Sequence, residues 1–150
     1  MTRTILAFAL LGLAGCAVPA TPPPPAAPRN LDLAYVDPRQ QMIEDRKTEV
    51  LRRLAVCESG DHGQSDRPIY GGRGLYLGRF QFIARTVINY VMQMDGRALT
   101  VKEATDLAHD YDQAAALAKF IVFELDGIWN WPLCNRKLGL AAEVKAIKAL

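Results

Sequence analysis

Apolar residues recur along most of this chain with a helical period. From Pro38 onward, Ile43, Val50, Leu51 and Leu54 fall at i, i+7, i+8 and i+11, one stripe of a helix. Its start is marked by Asp37 as a cap, Pro38 at the first helical position, and Gln40 where a capping-box partner belongs. Glu58 lies four residues beyond Leu54 and seven beyond Leu51, so the inward stripe ends in a carboxylate, followed at once by the breaker run Ser59-Gly60-Asp61. From Asp61 to Gly78 the period is lost. Gly63, Gly71, Gly72, Gly74 and Gly78 interleave with Tyr70, Leu75 and Tyr76, which reads as a loop or short hairpin. Helical patterning returns in four stretches: about Ala84 to Met94; Val101 to His109, with Thr100 and Glu103 spaced as a capping box; Gln113 to Leu125, ended by Gly127; and Leu138 to Leu150. The expected fold class is mainly α, a helical bundle with one irregular or short-hairpin wing, without internal repeat or sustained heptad.

The first residues follow a different pattern. Met1-Thr2-Arg3-Thr4 carries one positive charge and precedes the apolar run Ile5 to Gly12, after which come Leu13-Ala14-Gly15-Cys16. This order of charged, apolar and small residues is that of an export signal. The run falls short of the roughly 20 residues that a transmembrane helix needs. The tetrapeptide ending at Cys16 resembles the lipobox of bacterial lipoproteins, which implies that residues 1–15 are removed and that Cys16 is acylated. Several acyl chains on one residue would exceed the single chain that binds a membrane only reversibly. Ala17, in place of the Asp associated with inner-membrane retention, points to an outer-membrane anchor facing the periplasm. From Ala17 to Asn30 a proline-rich tract favours extended polyproline II geometry and serves as a spacer of roughly 40 Å. The expected organisation is therefore a signal peptide over 1–15, a lipidated cysteine and linker over 16–36, and one domain over 37–150.

Charge and cysteine content narrow the picture. The chain is 50% hydrophobic and 23% charged with a formal net charge of +2, which provides no drive toward nucleic acid. Of its three cysteines, acylation of Cys16 leaves the pair Cys57 and Cys134, most simply a disulfide in an oxidising compartment. Two distant cysteines are too few for a structural zinc site, and neither His62 nor His109 has a partner at ligand spacing, so no metal or cofactor is expected. The Gly71-Gly72-Arg73-Gly74 run lacks the Gly-Lys-Ser or Gly-Lys-Thr of a phosphate loop.

Three ordered segments, Leu54-Ala55-Val56-Cys57-Glu58-Ser59-Gly60, Leu77-Gly78-Arg79-Phe80-Gln81-Phe82 with Thr86, and Gly127-Ile128-Trp129-Asn130-Trp131-Pro132-Leu133-Cys134, resemble the catalytic domain of resuscitation-promoting factors. These are lysozyme-like cell-wall enzymes related in fold to the soluble lytic transglycosylases. The family carries a Cys-Glu-Ser-Gly motif, a Gly-Gly-Leu-Gln-Phe motif and a Trp-Pro-x-Cys motif, and the likeness spans roughly Leu51 to Cys134, including the alanine-rich stretch around Gln113-Ala114-Ala115. Two departures concern substrate fit: the interval from Glu58 to Gln81 is longer than the family's, and Val87 stands where tryptophan is usual. The resemblance implies an α+β lysozyme-like bundle around a cleft. It further implies cleavage of the β-1,4 bond between N-acetylmuramic acid and N-acetylglucosamine, with one Glu acting first as acid and then as base and an anhydromuramoyl end as product.

Glu58 is the expected general acid, since a carboxyl against apolar walls keeps its proton to higher pH; the alternative is a solvent-facing Glu at a helix end. Gln81 either hydrogen-bonds the glycan or ties its loop to the helix, and Tyr70, Tyr76, Trp129 and Trp131 either stack on sugars or fill the core. A water-using hydrolase would need a second carboxylate, with Asp61 or Asp66 in reach, and a noncatalytic glycan-binding lipoprotein would tolerate an exposed Glu58. The expected partners are peptidoglycan glycan strands and, through the lipid, a membrane, with the protein itself a monomer.

Overall fold

The computed structural model describes residues 37–60 and 68–150. The export signal, Cys16 and the linker, as well as Asp61, His62 and Asp66, lie outside the described residues. Among the described residues the chain folds as helices with a small antiparallel hairpin, the mainly α class expected with its short-hairpin wing.

Helix α1 spans Pro38–Ser59. The Asp37 carboxylate accepts a hydrogen bond from the Arg39 amide at 2.9 Å, so the cap acts on the second amide of the helix rather than through a box with Gln40. Val50, Leu51, Leu54 and Ala55 are buried along the expected face. Gly60, at φ 74°, ends the helix in the left-handed region that glycine enters without Cβ strain, and its N–H donates to the Val56 carbonyl.

The hairpin pairs β1 (Tyr70–Gly71) with β2 (Tyr76–Leu77), Tyr70 opposite Leu77 and Gly71 opposite Tyr76. Leu77 then exchanges both backbone hydrogen bonds with Phe82, which folds residues 78–81 into a tight turn. Gly78 is required here on two counts. Its φ is +66°, and a Cβ at this position would sit 1.7 Å from the Ala108 carbonyl oxygen. The turn can rest on α3 only because the side chain is absent.

Helices α2 (Ala84–Asp95), α3 (Val101–His109) and α4 (Tyr111–Lys119) follow. The capping box expected of α3 is present, with the Glu103 amide donating to Thr100 Oγ1 and the Thr100 amide to Glu103 Oε2. Asp110 caps α4 by accepting from the Gln113 amide, so that helix begins two residues before the expected Gln113. Its C-terminal end widens into a π turn over Phe120–Glu124. This seats Ile121, Val122 and Phe123 in the core, and it brings Ile121 so near Gly127 that a Cβ there would lie 2.6 Å from a methyl.

A 3-10 turn over Gly127–Asn130 leads into α5 (Pro132–Leu138), a helix the hydrophobic pattern did not reveal, and then α6 (Leu140–Lys148). Pro132 suits the first turn of α5, and Gly139 at φ 66° ends it, so that the helix expected from Leu138 begins instead at Leu140. The buried Asn135 side chain accepts from the Ala141 amide at 2.9 Å and so joins the two. No helix among the described residues is long and apolar enough to cross a membrane.

Helix α1 is held to the later helices by ion pairs, Glu44 with Lys119 of α4 and Arg53 with Glu143 of α6. These groups are partly solvated, and such pairs contribute little. The covalent tie is stronger. Cys57 of α1 and Cys134 of α5 form the expected disulfide, with Cα atoms 5.9 Å apart and a sequence separation of 77. In the chain-entropy account a loop of this length stabilises the fold by about 4 kcal/mol. Replacing both cysteines with alanine should lower the unfolding free energy by that order, read as a lower urea midpoint, with a slope that is unchanged or steeper because the unfolded chain is freer to expand. An unaltered midpoint would show that the bond contributes nothing.

Candidate active site

Glu58 is the penultimate residue of α1. The inner end of the apolar stripe is shared. Ser59 takes the buried place, its hydroxyl donating to the Ala55 carbonyl at 2.8 Å, and Glu58 lies beside it, half-buried. No cation pairs with Glu58 among the described residues. Burial removes water from its charged form with no opposite charge in compensation, so its carboxyl is raised above the usual glutamate value. The residue before it, Cys57, is bonded to α5, which anchors the Glu58 backbone to a second helix. A carboxyl held in this way retains a proton to higher pH and can deliver it as a general acid.

On the hairpin, Tyr70 and Tyr76 are 57% and 40% exposed, leaving ring faces open to solvent. Tyr70 also sets its ring edgewise against His109 of α3, with centroids 4.7 Å apart. Gln81 sits in the turn after Gly78 at φ 50°, an uncommon left-handed backbone for a non-glycine residue. Its side-chain amide donates to the Gly78 carbonyl at 2.7 Å, and its Oε1 packs over Gly71, where a Cβ would come within 1.9 Å. One of the two N–H donors of the amide is thus used by the turn while its oxygen rests on the hairpin, so the side chain ties the two together.

The two tryptophans separate. Trp131 is 4% exposed, its indole N–H donates to the Phe80 carbonyl at 2.8 Å, and its ring meets Phe80 and Phe82 edge-on. The expectation that Trp131 stacks on a sugar is corrected here: a large aromatic with a satisfied donor fills the core and has no free face. Trp129 is 70% exposed. Val87, where the resembled family has tryptophan, is a fully buried core residue of α2.

Two polar residues that the sequence did not single out for a site lie below the hairpin. Both ring nitrogens of His109 are buried without a hydrogen-bond partner among the described residues. Burial lowers the pKa of this imidazole, opposed by the nearby Asp106 charge. Arg79 places its guanidinium 5.6 Å from the centre of the Tyr111 ring, a cation–π contact, while one terminal nitrogen is buried and unpartnered. No local motif marks them, because the Gly78–Ala108 approach brings their neighbourhoods together across thirty positions of sequence. The described residues hold no cluster of three His, Cys, Asp or Glu suited to a metal.

The raised carboxyl of Glu58 has a consequence for stability. Its folded form holds the proton above the pH at which the unfolded chain releases it, so its contribution is intact below the unfolded value, near 4.5, and declines as pH rises toward the folded one. His109 acts in the opposite sense, losing stability as pH falls below its ordinary 6.5. Comparing native protein with Glu58→Gln across this range cancels His109. The variant should gain stability relative to native as pH rises from about 4.5, measured by urea unfolding; a pH-independent difference would mean that Glu58 is not desolvated. No family model, curated protein or solved structure matches the chain.

Proposed function

We propose that this chain is an exported lipoprotein, anchored through Cys16 to the outer membrane facing the periplasm, whose domain cleaves the MurNAc-β-1,4-GlcNAc bond of peptidoglycan by lytic transglycosylation. The observation that carries this reading is Glu58: a half-buried carboxyl without an ion-pair partner among the described residues, its pKa raised by burial, at a helix end secured by a disulfide. The three ordered motifs around Glu58, Gln81 and Cys134 support it from the sequence side.

In this mechanism neutral Glu58 gives its proton to the glycosidic oxygen as the bond from that oxygen to the muramoyl C1 breaks, and the N-acetylglucosamine end departs as a free hydroxyl. The resulting carboxylate takes the proton of the muramoyl C6 hydroxyl as its oxygen bonds to C1. A 1,6-anhydro ring forms, Glu58 is protonated again, and no water is consumed. Because the same residue must start neutral, turnover belongs to its protonated form and falls as pH rises through the raised pKa. Burial therefore extends activity toward neutral pH.

Glu58→Gln keeps shape and most hydrogen bonding but has no proton to transfer. It should fold and lose at least about a hundredfold in the release of soluble sugar ends from purified peptidoglycan. Native-rate release by the folded variant would remove Glu58 from the mechanism. The products decide the second step: anhydromuramoyl ends are expected, whereas reducing ends would replace the internal attack with a water-using one. For the anchor, Cys16→Ser should abolish labelling by a radioactive fatty acid and release the protein from the membrane fraction; unchanged labelling would place the lipid elsewhere.

A further inference from the structure

Trp129 stands 70% exposed as a ridge between two hollows of about 560 Å³ and about 380 Å³. The hollows share a floor, Ala141 and Ala142 of α6, whose small side chains leave a shallow shelf on either side of the indole. Beyond the shelf lie cations, Lys145 and Lys148 at one end and Arg136 at the other. Lys148 is engaged by Asp126 at 2.6 Å, whereas Lys145 and Arg136 have no ion-pair partner among the described residues.

This arrangement differs from an ordinary solvated helix face. An indole left in water forgoes one of the largest apolar burials any side chain offers, and exposed aromatics beside Arg mark surfaces that receive a partner. The surface is concave on both sides of the ridge, which suits a chain laid across it better than a flat bilayer. An indole face complements the C–H face of a pyranose, and cations at both ends complement carboxylates carried outward from such a chain.

We propose that the Trp129 ridge and its two hollows form an accessory site for a glycan strand still bearing acidic stem peptides, so that the protein selects peptide-substituted over naked peptidoglycan. Sugar stacking on Trp129 supplies the contact common to both materials, and Arg136 and Lys145 supply the discrimination. This rests on the function proposed above and adds the form of the substrate.

The test uses the full chain in its Glu58→Gln form, so that nothing is cleaved while binding is measured. Binding is followed with glycan strands tethered to beads and still bearing their stem peptides, with the same tethered strands stripped of stem peptides by an amidase, and with vesicles of phosphatidylethanolamine and phosphatidylglycerol. Peptide-bearing material should bind at least about tenfold more tightly than stripped material, a preference weakened by salt. Adding Trp129→Ala should weaken binding to both by about tenfold or more. Adding Arg136→Glu with Lys145→Glu should erase the preference while retaining binding to stripped strands. Unchanged binding after Trp129→Ala, equal binding to both materials in the parent, or Trp129-dependent binding to vesicles in place of the wall would overturn the proposal, circular dichroism confirming that each variant is folded. If the binding pattern appears but the native protein releases no sugar ends, the catalytic reading fails and this site stands; if cleavage occurs without the pattern, the reverse holds.

Discussion

The buried indole of Trp131 is the joint on which the remaining structure depends. Its N–H must find an acceptor when removed from water, and the one it finds, the Phe80 carbonyl, belongs to the turn that follows the hairpin. That single hydrogen bond, set inside contacts with Phe80 and Phe82, fixes the start of α5 against the hairpin wing. One helical turn later Cys134 bonds to Cys57 and draws α5 onto the end of α1. Glu58, Gln81 and Trp131 thus belong to one connected framework, although 23 and then 50 positions separate them. Enlarging or emptying the Trp131 site would disturb the acid and the turn together.

Around this joint the fold treats charge unevenly. On the surface, acids and bases sit in solvated pairs such as Arg52 with Glu49 and Lys102 with Asp106, which are screened and contribute little to stability. Beside the hairpin and at the end of α1 it does the opposite. Desolvation shifts Glu58 and His109 each toward the neutral form, and the described residues hold no ion-pair partner for Glu58 or hydrogen-bond partner for His109. A fold selected for stability alone would replace both with apolar side chains of similar size. Retaining a carboxyl in such a place destabilises the ionised protein.

The wing follows the same logic of close approach. Gly78 lets the turn rest on the Ala108 carbonyl, and Gly71 lets Gln81 lie over the hairpin. Gln81 accepts a left-handed backbone so that its amide can close the turn onto Gly78. Its side chain is consequently engaged in holding shape, and the exposed rings of Tyr70 and Tyr76 are left as the aromatic surface of the wing.

Local rules were sufficient for much of this. The apolar stripe of α1, its Asp37 cap and Gly60 end, the Thr100–Glu103 box and the glycine-rich hairpin are all decided by neighbours a few positions apart, so the sequence alone determined them. The cysteine pairing was legible once Cys16 was set aside by its lipobox-like context, which leaves one pair. Helix α5 was not, because seven residues beginning at a proline are too short to display a period, and neither was the π turn at Phe120, which exists to pack Ile121 against Gly127. Above all, composition treats Trp129 and Trp131 alike, two indoles two positions apart. Only the tertiary structure could send one into the core and leave the other in solvent, because that choice depends on which face of the chain the Phe80 carbonyl and the disulfide hold inward.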